Sequence, residues 1–319
     1  MDINCLEYQD KKIIIYNTTS IKHNELMDLF AFSKRLKEFD SQKIRIIFSP
    51  HLYLDEEFLK KILEIFEEYR DITYFINNDP YESEIQNFYS LRNVCVNRAS
   101  LIDKNIFYIQ KTEKKYDAVY TGRVNAYKRF NLLSDISKQH NLAIVAQRVY
   151  SQDFLKDLKI RQVIYEHVEP KKVNEILNQA SIGFILSKSE GSCYASAEYL
   201  SCGLPVISTF NFGGRNLFYN HENSIICEGS SDSVHIAFSK IMQKIKEGKF
   251  DPQKIRSDFL NKALYRISLY KSFLQSIMIE LDIHIDFDNF FKKHVYNFDE
   301  GRPVVHGLLK SGNITGMFD

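Results

Sequence analysis

Short apolar runs alternate with amphipathic helical patterns along the chain. A strand buried on both faces of a sheet reads as a continuous apolar run, whereas a helix repeats its apolar positions every three to four residues. These patterns predict strands at residues 13–17, 43–49, 72–77, 94–97, 106–109, 118–122, 142–147, 163–168, 182–187, 205–209 and 224–227. They predict helices at residues 24–39, 55–69, 82–91, 127–139, 151–159, 170–179, 192–202, 231–247 and 253–280. Strand–helix alternation of this kind predicts an α/β fold of two Rossmann-like domains with parallel sheets.

A polar, lysine-rich stretch at residues 111–115 interrupts this alternation. We therefore predict a short N-terminal domain at 1–113, a second domain at 114–281 and a tail at 282–319. Because open parallel sheets bind ligands beyond the carboxyl ends of their strands, we expect a cleft between the two domains. The tail alternates aromatic with charged residues, and we expect it to pack back on the first domain or on a partner. Contact of the tail with a second copy of the chain or with a membrane surface stays open.

The composition excludes several classes of function. A formal net charge of +1 over 319 residues lacks the basic excess of a nucleic-acid binder. The five cysteines are odd in number and have no Cys-x-x-Cys spacing, which predicts reduced thiols rather than disulfides or a zinc site. No apolar run approaches the ~20 residues of a membrane span. The first run, at residues 13–15, is too short for a signal peptide, so we expect a cytoplasmic protein. The abundance of Ile, Lys, Asn and Phe indicates a bacterial source.

The loop after the strand at 118–122 carries the first candidate site. Gly122 permits a tight turn close to a ligand. Arg123 supplies a planar fork and Lys128 a point charge, and both suit the oxygens of a diphosphate. A solvated basic helix start, continuing with Arg129, is the alternative for these residues.

The loop after the strand at 182–187 carries the second candidate site. Gly191 allows the chain to turn, and Glu190 is expected to point toward a bound sugar. Glu198, about two turns into the next helix, is expected to accept hydrogen bonds from a ribose. The N–H groups that open this helix predict an anion site, formed at Ser192, Cys193 and Tyr194. The Glu-x7-Glu spacing is weak by itself, but its position after a buried strand gives it weight.

A glycine pair follows the strand at 205–209. Gly213 and Gly214 suit a loop that lies close to a ligand, although an ordinary turn explains them equally well. Arg215 follows them directly and is a candidate for contact with a phosphate. The upstream Gly203 and Pro205 instead predict the end of a helix.

Together these segments resemble the donor-binding core of retaining glycosyltransferase family 4. The resemblance rests on SEGSCYASAEYLSCGLPVIS, preceded by LNQASIGFILS and followed by FGGRN, and on the upstream segment GRVNAYKR. It covers about residues 116–250 and implies the two-domain GT-B fold. Two features depart from the family pattern: Leu217 occupies a position that is often acidic, and no glycine-rich loop follows the strand at 13–17.

The resemblance implies roles for these residues. Arg123 and Lys128 would bind the donor diphosphate, and Glu190 would contact the transferred sugar. The loop with His167 would lie near the nucleobase. His51, after the strand at 43–49, is an acceptor-side candidate, for which a surface histidine is an equal alternative. The remaining donor-binding candidates are Gly122, Gly191, Ser192, Cys193, Tyr194, Glu198, Gly214 and Arg215.

The implied reaction is glycosyl transfer with retention from a nucleoside-diphosphate sugar, in the first place a UDP-sugar, to a saccharide or lipid-linked acceptor. We expect neither cofactor nor metal, because the cations and helix N–H groups stabilise the leaving phosphate. The Asp286–Asp288 pair lies in the tail, outside the predicted cleft, and is expected to be a solvated helix start. The expected setting is bacterial surface polysaccharide synthesis. A sugar-nucleotide epimerase or hydrolase on the same fold and a non-catalytic partner subunit stay open as alternatives.

Overall fold

The computed structural model describes residues 2–18, 23–50, 54–156, 158, 164–166, 168–294, 298–299, 302–303 and 312–313. The chain forms two compact units. The first contains Met1–Leu101, Leu264–Asn297 and Pro303–Asp319, and the second contains Ile102–Ala263 and Phe298–Arg302. The chain thus leaves the first unit before residue 113 and returns to it before residue 281.

In the described residues, the strands are β1 (Asp2–Tyr8), β2 (Lys11–Thr18), β3 (Ile44–Pro50), β4 (Thr73–Asn77), β5 (Arg92–Cys95), β6 (Ala118–Val124), β7 (Leu142–Val149), β8 (Ile164–Glu166), β9 (Gly183–Ile185), β10 (Val206–Thr209), β11 (Ser224–Cys227), β12 (Phe298–Asp299), β13 (Arg302–Pro303) and β14 (Gly312–Asn313). The α-helices are α1 (His23–Leu36), α2 (Glu56–Ile65), α3 (Pro80–Phe88), α4 (Ser134–Gln139), α5 (Pro170–Asn178), α6 (Tyr194–Ser201), α7 (Ser231–Lys246), α8 (Pro252–Glu280) and α9 (Phe287–His294). None of these helices is both long and apolar enough to cross a bilayer.

The sheet of the first unit has the strand order β14-β1-β2-β3-β4-β5. Strands β2 to β5 are parallel, as predicted, but β1 pairs antiparallel with β2. The sequence did not predict β1, because its residues DINCLEY form no continuous apolar run. The tight turn between β1 and β2 is made with Gln9 in the left-handed region, at φ 55°.

Both faces of this sheet are covered, which explains the apolar run in β2. Ile13 and Ile15 face a core that includes Tyr270 of α8 and Phe290 of α9. The intervening residues of β2 face a second core, formed with α1 and α2. Alternate side chains of a strand point to opposite faces, so a strand covered on both sides needs apolar residues throughout. Residues 282–294 of the sequence-defined tail therefore lie in the first unit.

The sheet of the second unit is entirely parallel, with the strand order β11-β10-β9-β6-β7-β8. Its core includes Tyr120 and Phe184 from the strands and Phe238 from α7. Gly183 allows the ring of Tyr199 to pack directly on β9, since a Cβ at this position would lie 2.2 Å from Cδ2 of that ring. The hydroxyl of Tyr199 accepts a hydrogen bond from the N–H of Thr121 (2.6 Å), which ties α6 to the neighbouring strand.

Two predicted elements of the second unit were wrong, and in place of the predicted helix at 151–159 the described residues form a short 3-10 helix at Gln152–Leu155. Residues 106–109 form no strand, because the N–H groups of Ile106 (3.2 Å) and Phe107 (3.0 Å) donate to the carbonyl of Asp103 in a local turn. The N–H of Tyr108 donates to Oδ1 of Asn174 in α5 (3.1 Å). The predicted helix at 127–139 is α4 preceded by two short 3-10 turns. Arg129, at φ 52°, separates these turns, since a left-handed residue cannot continue an α-helix.

Glu82 is a buried carboxylate in the first turn of α3. It accepts hydrogen bonds from the backbone N–H groups of Leu54 (2.7 Å), Asn78 (3.0 Å) and Asp79 (2.9 Å). Burial raises its pKa from 4.5 to about 7, although these three donors favour the charged form.

We expect the Glu82 carboxyl to make the free energy of unfolding fall as the pH rises from 4.5 to about 7. In this window the folded protein holds the proton more tightly than the unfolded chain, so raising the pH removes up to about 3 kcal/mol of stabilisation. Urea unfolding of Glu82→Gln should lack this part of the pH dependence. Glu84→Gln, at an exposed position of the same helix, should keep it. Equal slopes in the parent and Glu82→Gln would contradict the assignment.

Candidate functional site

Three loops meet at the carboxyl ends of β10, β9 and β6, which are neighbours in the second sheet. They contain residues 125–133, 186–193 and 210–214. Parallel strands bring the loops that follow them to one edge of the sheet, which is where α/β proteins bind ligands. The three motifs predicted from sequence therefore lie together, within the second unit.

Lys128 is directed across the end of β6 by its neighbours. Its backbone N–H donates to Asn125 Oδ1 (3.2 Å), and its carbonyl accepts from the hydroxyl of Tyr120 (2.6 Å). Its side chain lies over Gly122, where an added Cβ would be 3.3 Å from Cε of the lysine. Gly122 thus gives the lysine side chain a path to the loop after β9.

Lys128 and Glu190 form a partly buried ion pair, with only 15% and 10% of their side chains exposed. The carboxylate of Glu190 also accepts a hydrogen bond from the hydroxyl of Ser187. Burial alone would raise the pKa of Glu190, but the charges of Lys128 and Arg215 outweigh burial and hold it below its usual value. Burial would likewise lower the pKa of Lys128, but the charge of Glu190 raises it above its usual value. Both groups therefore stay ionised.

Arg215 supports this pair from within the protein and is 1% exposed. Its guanidinium donates to the carbonyl (2.8 Å) and the hydroxyl (2.9 Å) of Ser187 and to the carbonyl of Thr209 (2.6 Å). Arg215 thus joins the ends of β9 and β10. Because its guanidinium is already hydrogen-bonded within the protein, contact of Arg215 with a phosphate stays a prediction.

Arg129 makes a similar connection. Its Nε donates to the carbonyl of Leu186 (2.6 Å), and Nη2 donates to the hydroxyl of Thr209 (2.6 Å). Gly229 makes room for it, because a Cβ there would lie 2.4 Å from Nη1 of Arg129. The sequence showed only a basic side chain here, whereas the structure uses it to hold the strand ends.

Asn211 closes the loop after β10 onto the loop after β9, a role that the sequence analysis missed. Its Oδ1 accepts from the N–H of Glu190 (2.6 Å), and its Nδ2 donates to the carbonyls of Glu190 (3.2 Å) and Gly213 (2.8 Å). Gly213 has φ 109° and approaches the backbone of Glu190 so closely that a Cβ would lie 2.5 Å from its carbonyl oxygen. An asparagine between two aromatic residues and before a glycine pair gave no signal of this role.

Helix α6 starts directly after the ion pair. Cys193 is its N-cap residue and makes no side-chain capping hydrogen bond. Gly191 is buried, while Ser192 and Tyr194 are partly exposed at this helix start. An N-terminus of this kind attracts anions through its N–H groups and its dipole.

The remaining candidate residues are placed less directly. Gly214 is buried and opens a short 3-10 turn, and Glu198 is completely buried (0% exposed) inside α6. Arg123 is exposed where the pairing of β6 with β7 shifts register, and it forms no ion pair with a described residue. His51 and His167 lie outside the described residues.

Among the residues that the structure describes, no group of three or more His, Cys, Asp or Glu side chains is arranged to hold a metal ion. Asp286 accepts a hydrogen bond from the N–H of Asn289 (3.1 Å) at the start of α9. The predicted helix start at the Asp-x-Asp sequence is thereby confirmed.

Comparison with known proteins agrees with this architecture. Residues 102–257 match the family model described as glycosyl transferases group 1. No curated protein matches the chain.

Solved structures resemble the chain at low sequence identity. Sucrose-phosphate synthase from Thermosynechococcus elongatus has a TM-score of 0.57 at 13% identity, over 88% of this chain and 74% of its own. HepE of Anabaena in complex with UDP has a TM-score of 0.58 at 12% identity, over 83% and 78%. The complex of HepE with UDP-glucose has a TM-score of 0.54 at 14% identity, again over 83% and 78%. The predicted GT-B fold of two α/β domains is thus confirmed.

Proposed function

We propose that this protein is a retaining glycosyltransferase that moves a hexosyl group from a UDP-sugar to a hydroxyl acceptor. The observation that carries this proposal is the Lys128–Glu190 ion pair, which lies immediately before the start of α6. The match of residues 102–257 to group 1 glycosyltransferases and the nucleotide complexes of HepE support it.

The ion pair and the start of α6 suit the two parts of a sugar diphosphate: the positive groups suit the phosphates, and the carboxylate suits the sugar. The ammonium of Lys128 and the N–H groups at the start of α6 would stabilise the negative charge of the departing UDP. The ionised carboxylate of Glu190 would accept hydrogen bonds from hydroxyls of the transferred sugar. Arg123, exposed at the end of β6, would add a second cation for the diphosphate.

The chemistry at this site favours a reaction without a protein nucleophile. Burial raises the pKa of the Cys193 thiol, so this group is protonated at neutral pH. The carboxylate of Glu190 is ion-paired with Lys128 and accepts a hydrogen bond from Ser187, and both contacts reduce its strength as a nucleophile. We therefore infer that the acceptor hydroxyl attacks on the face that UDP leaves, and that a phosphate oxygen of the leaving group takes its proton.

We place this reaction, without a metal, in the assembly of bacterial surface polysaccharide on the cytoplasmic side. The acceptor would be a saccharide or a lipid-linked saccharide. The resemblance of the donor-binding segments to family 4 supports this setting.

Thermal unfolding in the presence of UDP, GDP, ADP and CMP tests the donor site. We expect UDP to raise the free energy of unfolding selectively, by about 2.7 kcal/mol at a hundredfold excess over its Kd. Uridine is the matched control, because it lacks the diphosphate that Lys128 and α6 would bind. Stabilisation by none of the nucleoside diphosphates would contradict a donor site in this chain and favour a non-catalytic partner subunit.

The fate of the sugar tests the reaction. With UDP-glucose and an acceptor, NMR of the product should show the anomeric configuration of the donor. An inverted product would disprove retention, and an altered or free sugar formed without acceptor would indicate an epimerase or a hydrolase.

A further inference from the structure

Large aromatic side chains are exposed beside the ion pair. Tyr127 precedes Lys128 and is 41% exposed. Phe212 lies in the loop after β10 and is 73% exposed. Single exposed aromatic residues are common on protein surfaces, but aromatic side chains grouped beside a polar site are typical of surfaces that bind ligands.

Both residues adjoin the loop that carries Glu190. Ser189 Oγ donates to the carbonyl of Phe212 (2.9 Å), and the two residues form a parallel β-bridge. The side chain of Tyr127 interacts with Ser189 as well. The Nζ atom of Lys128 lies 5.9 Å from the centre of the Tyr127 ring. Tyr127, through its side chain, and Phe212, through its backbone, therefore both contact Ser189, the residue that precedes Glu190.

The loops that carry Tyr127 and Phe212 are held by hydrogen bonds, although both side chains are exposed. Phe212 lies between Asn211 and Gly213, whose contacts with Glu190 fix the loop. Tyr127 is the central residue of the 3-10 turn that Asn125 caps. Their exposure is therefore not the consequence of a loosely attached segment.

We propose that Tyr127 and Phe212 form a stacking rim that receives the acceptor as a pyranose ring. This inference rests on the proposed function and names the substrate class of its acceptor. A pyranose has an apolar C–H face, which packs on aromatic rings, and hydroxyls, which suit the neighbouring charged groups. The ion pair and the start of α6 are assigned to the donor, so the rim outside them takes the second sugar.

The chain contains no tryptophan, so Phe212→Trp creates a single fluorescent reporter in the rim. We expect its emission to change saturably with methyl α-D-glucopyranoside or methyl β-D-galactopyranoside. Sorbitol, an open-chain polyol without a ring face, should have no effect. The matched control is Phe88→Trp, at a position 82% exposed in the first unit, which should not respond to either pyranoside.

A second substitution tests whether the rim has two sides. Tyr127→Ala in the Phe212→Trp background should raise the apparent Kd of the pyranoside about fivefold to tenfold, since one stacking partner is lost. Tyr265→Ala, 59% exposed elsewhere, should leave that Kd unchanged. Equal Kd values with and without Tyr127 would overturn the two-sided rim.

Thermal shift with UDP on the same Phe212→Trp protein separates this inference from the proposed function. Stabilisation by UDP without a pyranoside response would overturn the rim and leave the donor site intact. A response to uridine in place of the pyranosides would also overturn it, because the rim would then bind the base. Absence of UDP stabilisation would instead overturn the proposed function.

Discussion

Replacing Lys128 with methionine is expected to lower sugar transfer by at least about a hundredfold, since it removes a charge that stabilises the leaving phosphate. It should also destabilise the fold by about 3–5 kcal/mol, because the buried carboxylate of Glu190 loses its partner. The pKa of Glu190 should then rise, since the burial of this carboxylate is no longer offset by the lysine. UDP release from UDP-glucose and urea unfolding measure the two effects.

The double variant Lys128→Met/Glu190→Gln separates stability from catalysis. Removing both charges leaves no unpaired carboxylate, so the free energy of unfolding should recover in part toward that of the parent, while the buried guanidinium of Arg215 loses the nearby charge of Glu190. Transfer should stay low, because neither the phosphate nor the sugar finds its charged partner. Transfer at the parental rate in Lys128→Met would disprove the assignment of this lysine.

Gly213→Ala is expected to destabilise the protein by about 3 kcal/mol or more, as the sum of backbone strain and overpacking. At φ 109° an L side chain is strained, and the new Cβ would lie 2.5 Å from the carbonyl oxygen of Glu190. Relief of this overlap must move the Glu190 backbone, so donor binding should weaken together with stability. Chemical denaturation and UDP titration measure the two quantities.

Gly248→Ala is the matched control for this substitution. Gly248 also has a positive φ, of 67°, but nothing lies within 4 Å of the added Cβ. We expect it to cost only about 1 kcal/mol and to leave UDP binding unchanged. If the two alanine variants lose equal stability, the close approach to Glu190 is unimportant.

Local pattern was sufficient for the main elements of the fold. The continuous apolar run of β2 and the strands of the second sheet predicted parallel sheets, because strands covered on both faces leave no polar alternation. Strand β1 and the segment at 106–109 were misjudged because a continuous apolar run is neither necessary nor sufficient for a strand. The first has no continuous apolar run yet pairs with β2, and the second is an apolar run whose N–H groups donate to Asp103 and Asn174 rather than to another strand.

The sequence by itself also determined which charged residues follow which strands at the candidate site. Spacing along the chain placed Lys128 after β6 and Glu190 after β9, since each follows an apolar strand. Gly122 ends the first of these apolar runs, and Gly191 follows Glu190 directly. Whether such residues meet depends on strand order, which spacing does not specify.

Only the tertiary structure decided how these residues are used. Because β6 and β9 are neighbours in the second sheet, the amino group of Lys128 reaches the carboxylate of Glu190 across Gly122. The same packing buries Arg215 as a tie between strand ends, and it leaves Arg123 exposed. The sequence specifies which side chains are charged, but residues distant along the chain determine the partner of each charge and its exposure to solvent.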